Sequence, residues 1–158
     1  MAKTGSSSSD RPASKTQPWL RLCLEVEPCP CPRPRVGRWG AYYPAKYVKW
    51  GKNFTDILRG VVEDRKISPS IVPLEVSISC FATKPRTSKL AYPRPDVDNL
   101  AKSVLDASNG ILWQDDTLIV DLRVTKAWAP SKCPPQIIIL IRPFSDTNRV
   151  RPVDLETI

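Results

Sequence analysis

The sequence predicts a single domain of the α+β or α/β class, in which four strands pack against two main helices. The 158-residue chain has the length of one ordinary domain. Hydrophobic residues make up 41% of it, which is enough to form a core. Four segments have the apolar pattern of strands, and two segments between them repeat apolar residues at helical spacing. The 17 prolines fall mainly outside these segments, where they favour turns and tails.

The amino-terminal half is predicted to contain a tail, a strand, a loop and a helix. Residues 1–17 are rich in Ser, Lys and Pro, a composition typical of disorder. Residues 19–27 alternate between apolar and polar positions, which predicts the first strand. The segment 28–44 contains too many prolines for a helix and is predicted to be an extended loop. Pro44 suits the first turn of a helix, and the apolar spacing that follows predicts a helix over 44–66.

The middle of the chain is predicted to form a strand, a basic loop and a second helix. Residues 73–83 alternate as a strand and lead into the loop 84–95. Asp98 or Asp96 can cap the helix predicted at 98–109, since Asp is a favoured capping residue and a glycine follows the last apolar position.

Two further strands are predicted near the carboxyl terminus. Residues 117–127 alternate, with an apolar face expected to point inward that consists of Leu118, Val120, Leu122 and Val124. Residues 136–141 form an almost uninterrupted apolar run, which predicts a central or well-covered strand. Residues 143–158 are predicted to be a loose tail.

The formal net charge of +8 is the strongest compositional indication of a partner. A basic surface attracts polyanions, and nucleic acid is the favoured one, although such a charge can also serve solubility alone. No apolar run reaches the ~18 residues of a membrane span, and the first residues lack the apolar core of a secretory signal. The protein is therefore expected in a reducing cytoplasm, without a membrane partner.

The cysteine and histidine content limits the chemistry. Five cysteines form no recognisable disulfide framework, and Cys23 and Cys80 are expected to be small buried hydrophobes. Cys29 and Cys31 lack a second ligand pair for zinc. The absence of His excludes Ser-His-Asp and Cys-His catalysis. Any metal must then be a hard cation held by oxygens, such as Mg²⁺ or Mn²⁺.

One acidic segment stands out in this basic chain, because residues 94–126 contain six Asp and no Glu. Asp96 and Asp98 lie two apart before a predicted helix, so both can meet one cation from one side. Asp115 and Asp116 lie at the entry of the third predicted strand, and Asp116 is expected to face inward. We expect the helix and strand to bring the two pairs together around a metal.

Such a site suits phosphodiester cleavage, in which a divalent cation activates water and neutralises phosphoryl charge. Lys102, four residues after Asp98, can stabilise the developing charge. These acids can also have purely structural roles. Asp98 can cap the helix, and Asp115 and Asp116 can stabilise a turn. Asp106 can pair with Lys102, and Asp121 can be an exposed strand residue.

Other metal and nucleotide motifs fit less well. A calcium EF-hand counted from Asp96 fails, because its fifth and sixth positions are Leu100 and Ala101. A sugar-nucleotide site of the DxD type stays open in principle, but the chain is short and has no Gly-rich loop for a nucleotide cofactor.

The run PDVDNLAK at residues 95–102, followed by Leu105-Asp106 and by GILWQDD at 110–116, resembles the RusA family of phage-type Holliday junction resolvases. The resemblance extends to the strand before the basic loop and to Lys126, and it spans about residues 19–142. In one departure, Pro95 stands where a family member can carry Arg, with Arg94 one step earlier.

The resemblance implies an α+β domain at 18–142, with a small mixed sheet of about four strands and two main helices. It implies a homodimeric, Mg²⁺-dependent endonuclease of recombination and repair that nicks four-way junctions symmetrically, in the cytoplasm of a bacterium or a phage-infected cell. The family's catalytic carboxylates map onto Asp96, Asp98 and Asp116. Its catalytic lysine maps onto Lys102, and Asp115 matches a neighbouring acid with a weaker role.

Basic and aromatic residues then gain expected roles on DNA. Trp39 and Tyr43 can stack on opened bases. The candidates for phosphate contacts are Arg33, Arg35, Arg38, Lys84, Arg86, Lys89 and Arg94. Two alternatives stay open: a non-cleaving basic DNA-binding module whose acids are caps, and a nuclease of the same chemistry that acts on flaps or single strands.

Overall fold

The computed structural model describes residues 19–145. This part of the chain contains six strands, two α-helices and a short 3₁₀ helix. In chain order they are β1 (Leu20–Leu24), β2 (Arg35–Gly37), β3 (Gly40–Tyr42), α1 (Ala45–Asp64), β4 (Leu74–Ala82), α2 (Val97–Ser108), the 3₁₀ helix (Asp116–Leu118), β5 (Ile119–Trp128) and β6 (Gln136–Pro143).

Four of the strands within residues 19–145 form one mixed sheet in the order β1-β6-β4-β5. β4 and β5 are parallel, while β6 runs antiparallel to both β1 and β4. The register places Ile139 of β6 opposite Leu22 on one side and Ile78 on the other. The α+β fold with a small mixed sheet and two helices is confirmed, and so is the central position of β6.

The core lies between one face of the sheet and the two helices. Alternate residues of β4, from Leu74 to Cys80, are buried in the same cluster as the apolar residues of α1 and α2. The helix residues in it are Phe54, Leu58, Val62, Leu100 and Val104. Burial raises the pKa of the Cys80 thiol to about 12, so this thiol stays neutral, as expected of a small hydrophobe.

The other cysteines of residues 19–145 are also free thiols. Cys23 is only half-buried, and its thiol donates a hydrogen bond of 2.8 Å to the side-chain oxygen of Gln136. The prediction that Cys23 is a buried hydrophobe is therefore only partly correct.

Two expectations about local structure are wrong. The segment 28–44 is not a loop throughout, because β2 and β3 form a hairpin, with Gly40 at a φ of 113° after the turn. In β5, Val120 is 55% exposed and Leu122 is 39% exposed, although both were expected to point inward. The reason is the position and the register of β5. It is an edge strand, and its pairing with β4 shifts register so that Val120 has no partner there. Only Leu118 and Val124 of that set pack against the core.

The element bounds otherwise agree closely with the sequence pattern, except that the first strand ends at Leu24 instead of residue 27. Neither helix within residues 19–145 is long and apolar enough to cross a bilayer. The predicted amino-terminal tail and most of the predicted carboxyl-terminal tail lie outside the described residues. Phe144, just after β6, still donates a backbone hydrogen bond to Pro73.

A buried ion pair joins β4 and β6, and its disruption should be costly. The Arg142 guanidinium pairs with the carboxylate of Glu75, which is 4% exposed, and it also lies 4.3 Å from the centre of the Trp19 ring. Arg142→Met would remove the guanidinium that neutralises the buried Glu75 carboxylate, so we expect a loss of about 3 kcal/mol in the free energy of unfolding, measured by urea denaturation.

The double variant Glu75→Gln/Arg142→Met should recover most of that loss, because no buried charge is left. As a matched control, Arg123→Met at an exposed position on β5 should change stability by less than about 0.5 kcal/mol. An Arg142→Met protein as stable as the unmodified chain would show that the ion pair does not hold the two strands.

Candidate functional site

Asp96 and Asp98 lie together at the amino-terminal end of α2. Asp96 has an extended backbone and occupies the N-cap position, while Asp98 lies in the first helical turn. Both line one cavity of about 710 Å³, together with Arg33 and Arg94. The positive end of the helix dipole favours negative charge at this place.

The two carboxylates are free to bind a cation. The Asp96 side chain makes no capping hydrogen bond, although its position is that of a cap. Among residues 19–145, neither carboxylate has a hydrogen-bond or ion-pair partner. Both are exposed. Unpartnered carboxylates two residues apart are the hard oxygen donors that Mg²⁺ and Mn²⁺ prefer.

Hydrogen bonds from two other parts of the chain hold this end of α2 in place. The Lys126 ammonium, on β5, donates a 2.6 Å hydrogen bond to the carbonyl of Pro95, directly before Asp96. The backbone N–H of Cys31 donates to the carbonyl of Asn99 at 2.9 Å. The carboxylates are thus presented on a supported turn.

Asp115 and Asp116 lie beyond the opposite end of α2. The Asp115 carboxylate caps the 3₁₀ helix by accepting a 2.9 Å hydrogen bond from the N–H of Thr117. Hydrogen bonds from the Thr117 side chain and backbone lower the pKa of the Asp115 carboxyl. Asp116 is the first residue of the 3₁₀ helix, which leads into β5.

One subunit therefore does not unite the four predicted metal ligands. Within residues 19–145, no group of three or more His, Cys, Asp or Glu side chains is placed to hold a metal ion. Asp96 and Asp98 share a cavity that Asp115 and Asp116 do not line. The 12 residues of α2 separate the pairs, and a helix of this length spans about 18 Å.

Lys102 lies one turn into α2 and is paired with a neighbour. Its ammonium is 3.1 Å from a carboxylate oxygen of Asp106, and this contact raises the pKa of Lys102. Both side chains are exposed, so the pair is weak and Lys102 can exchange Asp106 for another anion. The expected pairing of Asp106 with Lys102 is confirmed, as is the exposure of Asp121.

The predicted DNA-binding residues come from two exposed parts of the chain, the segment before α1 and the loop between β4 and α2. Arg33 and Arg94 line the carboxylate cavity itself, and Lys89 and Arg94 line a neighbouring cleft. Arg35 and Arg38 belong to the β2–β3 hairpin and its turn, whereas Lys84 and Arg86 lie on the loop after β4. All seven side chains are exposed.

The hairpin presents an aromatic side chain at its tip. Trp39 is 93% exposed, and the Arg38 guanidinium lies 5.5 Å from the centre of its ring. Tyr43, by contrast, packs on Tyr47, with ring centres 5.3 Å apart. That contact continues through Trp50 to the buried Phe54, so Tyr43 is part of an aromatic stack anchored in the core.

Sequence reasoning gave no role to Lys126 or Trp128. The Trp128 indole donates a 2.9 Å hydrogen bond to the carbonyl of Leu90, and Lys126 holds the Pro95 turn. The sequence contained one signal for Lys126. It continues the alternation of Leu122 and Val124, and a charged residue at such an apolar position indicates a specific partner. No comparable signal distinguishes Trp128 from an ordinary core aromatic.

Comparisons with known proteins give two findings. A family model described as "Endodeoxyribonuclease RusA" matches residues 25–142, most of the chain. A protein of Bacillus subtilis (strain 168), described as "Uncharacterized protein YqaN", is 40% identical over 52 residues. That alignment covers 33% of this chain and 34% of the Bacillus protein, so the chain matches about a third of that relative.

Proposed function

This chain belongs to the RusA endodeoxyribonuclease family, and from that membership we propose that it is a Mg²⁺-dependent resolvase of four-way DNA junctions. It would make paired, symmetric nicks during DNA recombination and repair, in the cytoplasm of a bacterium or a phage-infected cell. No nucleotide cofactor and no zinc would take part. The catalytic domain would be residues 18–142, flanked by the two tails.

The observation that carries this proposal is the pair of unpartnered carboxylates, Asp96 and Asp98, in a cavity that also contains two arginines. In a chain of net charge +8, a free acidic pair would repel DNA unless a cation lay between them. The donor set fits a hard divalent ion, with Mn²⁺ as a substitute for Mg²⁺. When bound, such an ion supplies an activated water and neutralises phosphoryl charge.

The remaining residues of the site would position the DNA. Arg33 and Arg94 are placed to hold phosphates beside the carboxylates, and Lys102 can leave Asp106 to stabilise the developing negative charge. Trp39, at the tip of the hairpin, is available to stack on a base opened at the junction.

We propose further that the enzyme is a homodimer in which Asp116 of each subunit completes the site of the other. The resemblance to the family assigns a third catalytic carboxylate to Asp116, and α2 keeps Asp116 away from Asp96 within one subunit. A two-fold dimer suits this exchange, because every contact across it occurs twice and yields two equivalent sites.

The edge strand β5 supports this arrangement. Its outer edge is unpaired within residues 19–145, and it exposes Val120 and Leu122 in its first half. If the β5 strands of two subunits paired antiparallel, the start of β5 in one subunit would lie beside the end of β5 in the other. Asp116 lies just before that start. Lys126 holds the Asp96 turn at that end.

The direct test uses the purified full-length protein and a synthetic four-way junction, with and without Mg²⁺. We expect Mg²⁺-dependent nicks at symmetry-related positions in two opposed strands, and much slower cutting of a linear duplex of the same sequence. Size-exclusion chromatography with light scattering should give the mass of a dimer.

Two other outcomes would contradict this proposal. Faster cutting of a flap substrate would favour the alternative of a nuclease with the same chemistry that acts on other branched DNA. Binding that weakens steeply with salt, without nicking of any DNA in Mg²⁺ or Mn²⁺, would favour a non-cleaving DNA-binding module.

A further inference from the structure

A second cleft lies directly beside the carboxylate cavity. Its volume is about 610 Å³, and it lies between the end of β4, Trp128 at the end of β5 and the loop that precedes α2. Arg94 and Pro95 line both spaces, so they form a shared wall. A strand of DNA whose phosphate lies at Asp96 can therefore place the neighbouring nucleotide in this cleft.

The chemistry of the cleft is that of a site for a flat, largely apolar ring. Its walls are mostly apolar and are provided by Pro28, Ala82, Pro85, Leu90, Pro93 and Trp128. Glu27 also lines it, and a carboxylate disfavours a phosphate inside. Three hydroxyl side chains, those of Thr83, Thr87 and Ser88, also line the cleft. Lys89 and Arg94 line it too and are exposed, so they remain available for the sugar-phosphate backbone.

The cleft is held open by hydrogen bonds at both ends of the loop. The Glu27 carboxylate accepts bonds from the Thr83 hydroxyl at 2.7 Å and from its backbone N–H at 3.1 Å. The Trp128 indole holds the carbonyl of Leu90, and Lys126 holds that of Pro95. A site whose walls are already fixed loses little conformational freedom when a ligand enters.

We propose that this cleft binds an unpaired nucleobase adjacent to the scissile phosphate. The inference rests on the proposed function, since it requires the phosphate to lie at Asp96 and Asp98. For enzymes that act on DNA, the free-energy cost of extracting a base is lower when that base is already unstacked. The branch point of a junction offers such bases. The cleft would thereby favour branched DNA over a continuous duplex.

The test combines changes in the DNA with changes in the protein, in the full-length chain and with Ca²⁺, which carboxylate oxygens also bind, in place of Mg²⁺. Affinity is measured for junctions that carry one abasic residue at each nucleotide around the branch point in turn. Two variants fill the cleft: Ala82→Leu from the strand side and Thr87→Trp from the loop side. Val72→Leu, an exposed residue outside the cleft, is the matched control.

We expect one abasic position to weaken binding of the unmodified protein about ten-fold, which is the scale of a lost base-stacking contact. Each filled variant should lose a similar factor on the intact junction. The two losses should not add when variant and abasic junction are combined, because both remove the same contact. The control variant should behave like the unmodified protein.

Two results would overturn the nucleobase site. One is that the affinity losses from the variant and from the abasic residue multiply when the two are combined. The other is that folded Ala82→Leu and Thr87→Trp proteins bind the intact junction normally. Circular dichroism and thermal unfolding of each variant identify a change that acts through folding alone, and the two variants approach the cleft from separate elements. Failure of the unmodified protein to bind any four-way junction would contradict the proposed function instead.

Discussion

Replacing Asp96 or Asp98 by Asn should abolish cleavage while junction binding is retained. Each carboxylate is exposed, unpartnered and at the amino-terminal end of α2, so we expect its loss to affect the binding of a cation and not the stability of the fold. Loss of a metal ligand should lower the cleavage rate on the order of a thousand-fold. Asn is also a good N-cap residue, so α2 should be undisturbed.

Single-turnover cleavage of a labelled junction measures the rate, and a gel-shift titration in EDTA measures affinity. Removing one negative charge near DNA should leave affinity unchanged or slightly improved. Asp56→Asn, at an exposed position on α1, is the matched control and should cut normally. Loss of junction affinity with unimpaired cutting would contradict the assignment of the metal site.

Mixed dimers should regain activity when one subunit carries Asp98→Asn and the other carries Asp116→Asn. If each site combines Asp96 and Asp98 of one subunit with Asp116 of the other, one site of the mixed dimer collects both changes. The second site then has all its carboxylates and should nick one strand, although paired resolution should be lost. The two parent homodimers should be inactive.

Co-expression of two differently tagged chains and purification through both tags provides the mixed dimer. The matched control is the combination of Asp96→Asn with Asp98→Asn, which leaves one defect in each site and should stay inactive. Equal inactivity of both mixed dimers would show that each site is built within one subunit. A monomer in solution would rule out the shared site directly.

The sequence predicted the elements of this fold well because each has a strong local signal. β4 alternates with period two, α1 repeats apolar residues at helical spacing, and the apolar run of β6 indicated a covered strand, which the central position confirms. These signals arise because the apolar residues of an element follow the face or faces that it buries.

The departures arise where local pattern does not determine tertiary position. The hairpin β2–β3 lacks a buried face, so no alternation marks it. Val120 and Leu122 have the pattern of core residues but lie on an edge. Asp96 was correctly placed before α2, although Asp98 lies within its first turn. The distance to Asp116 depends on the direction in which α2 runs, which spacing along the chain does not give.

The central position of β6 makes the order of synthesis matter. The sheet contains its last strand between two that are made much earlier, and Ile139 has to reach both Leu22 and Ile78. On a growing polypeptide, β1 has no neighbour until nearly the whole domain has been translated. Contacts so distant along the chain slow folding. The apolar strands β1 and β4 therefore stay without their shared neighbour until synthesis of the domain is almost complete. We expect chaperones to be most useful during that interval.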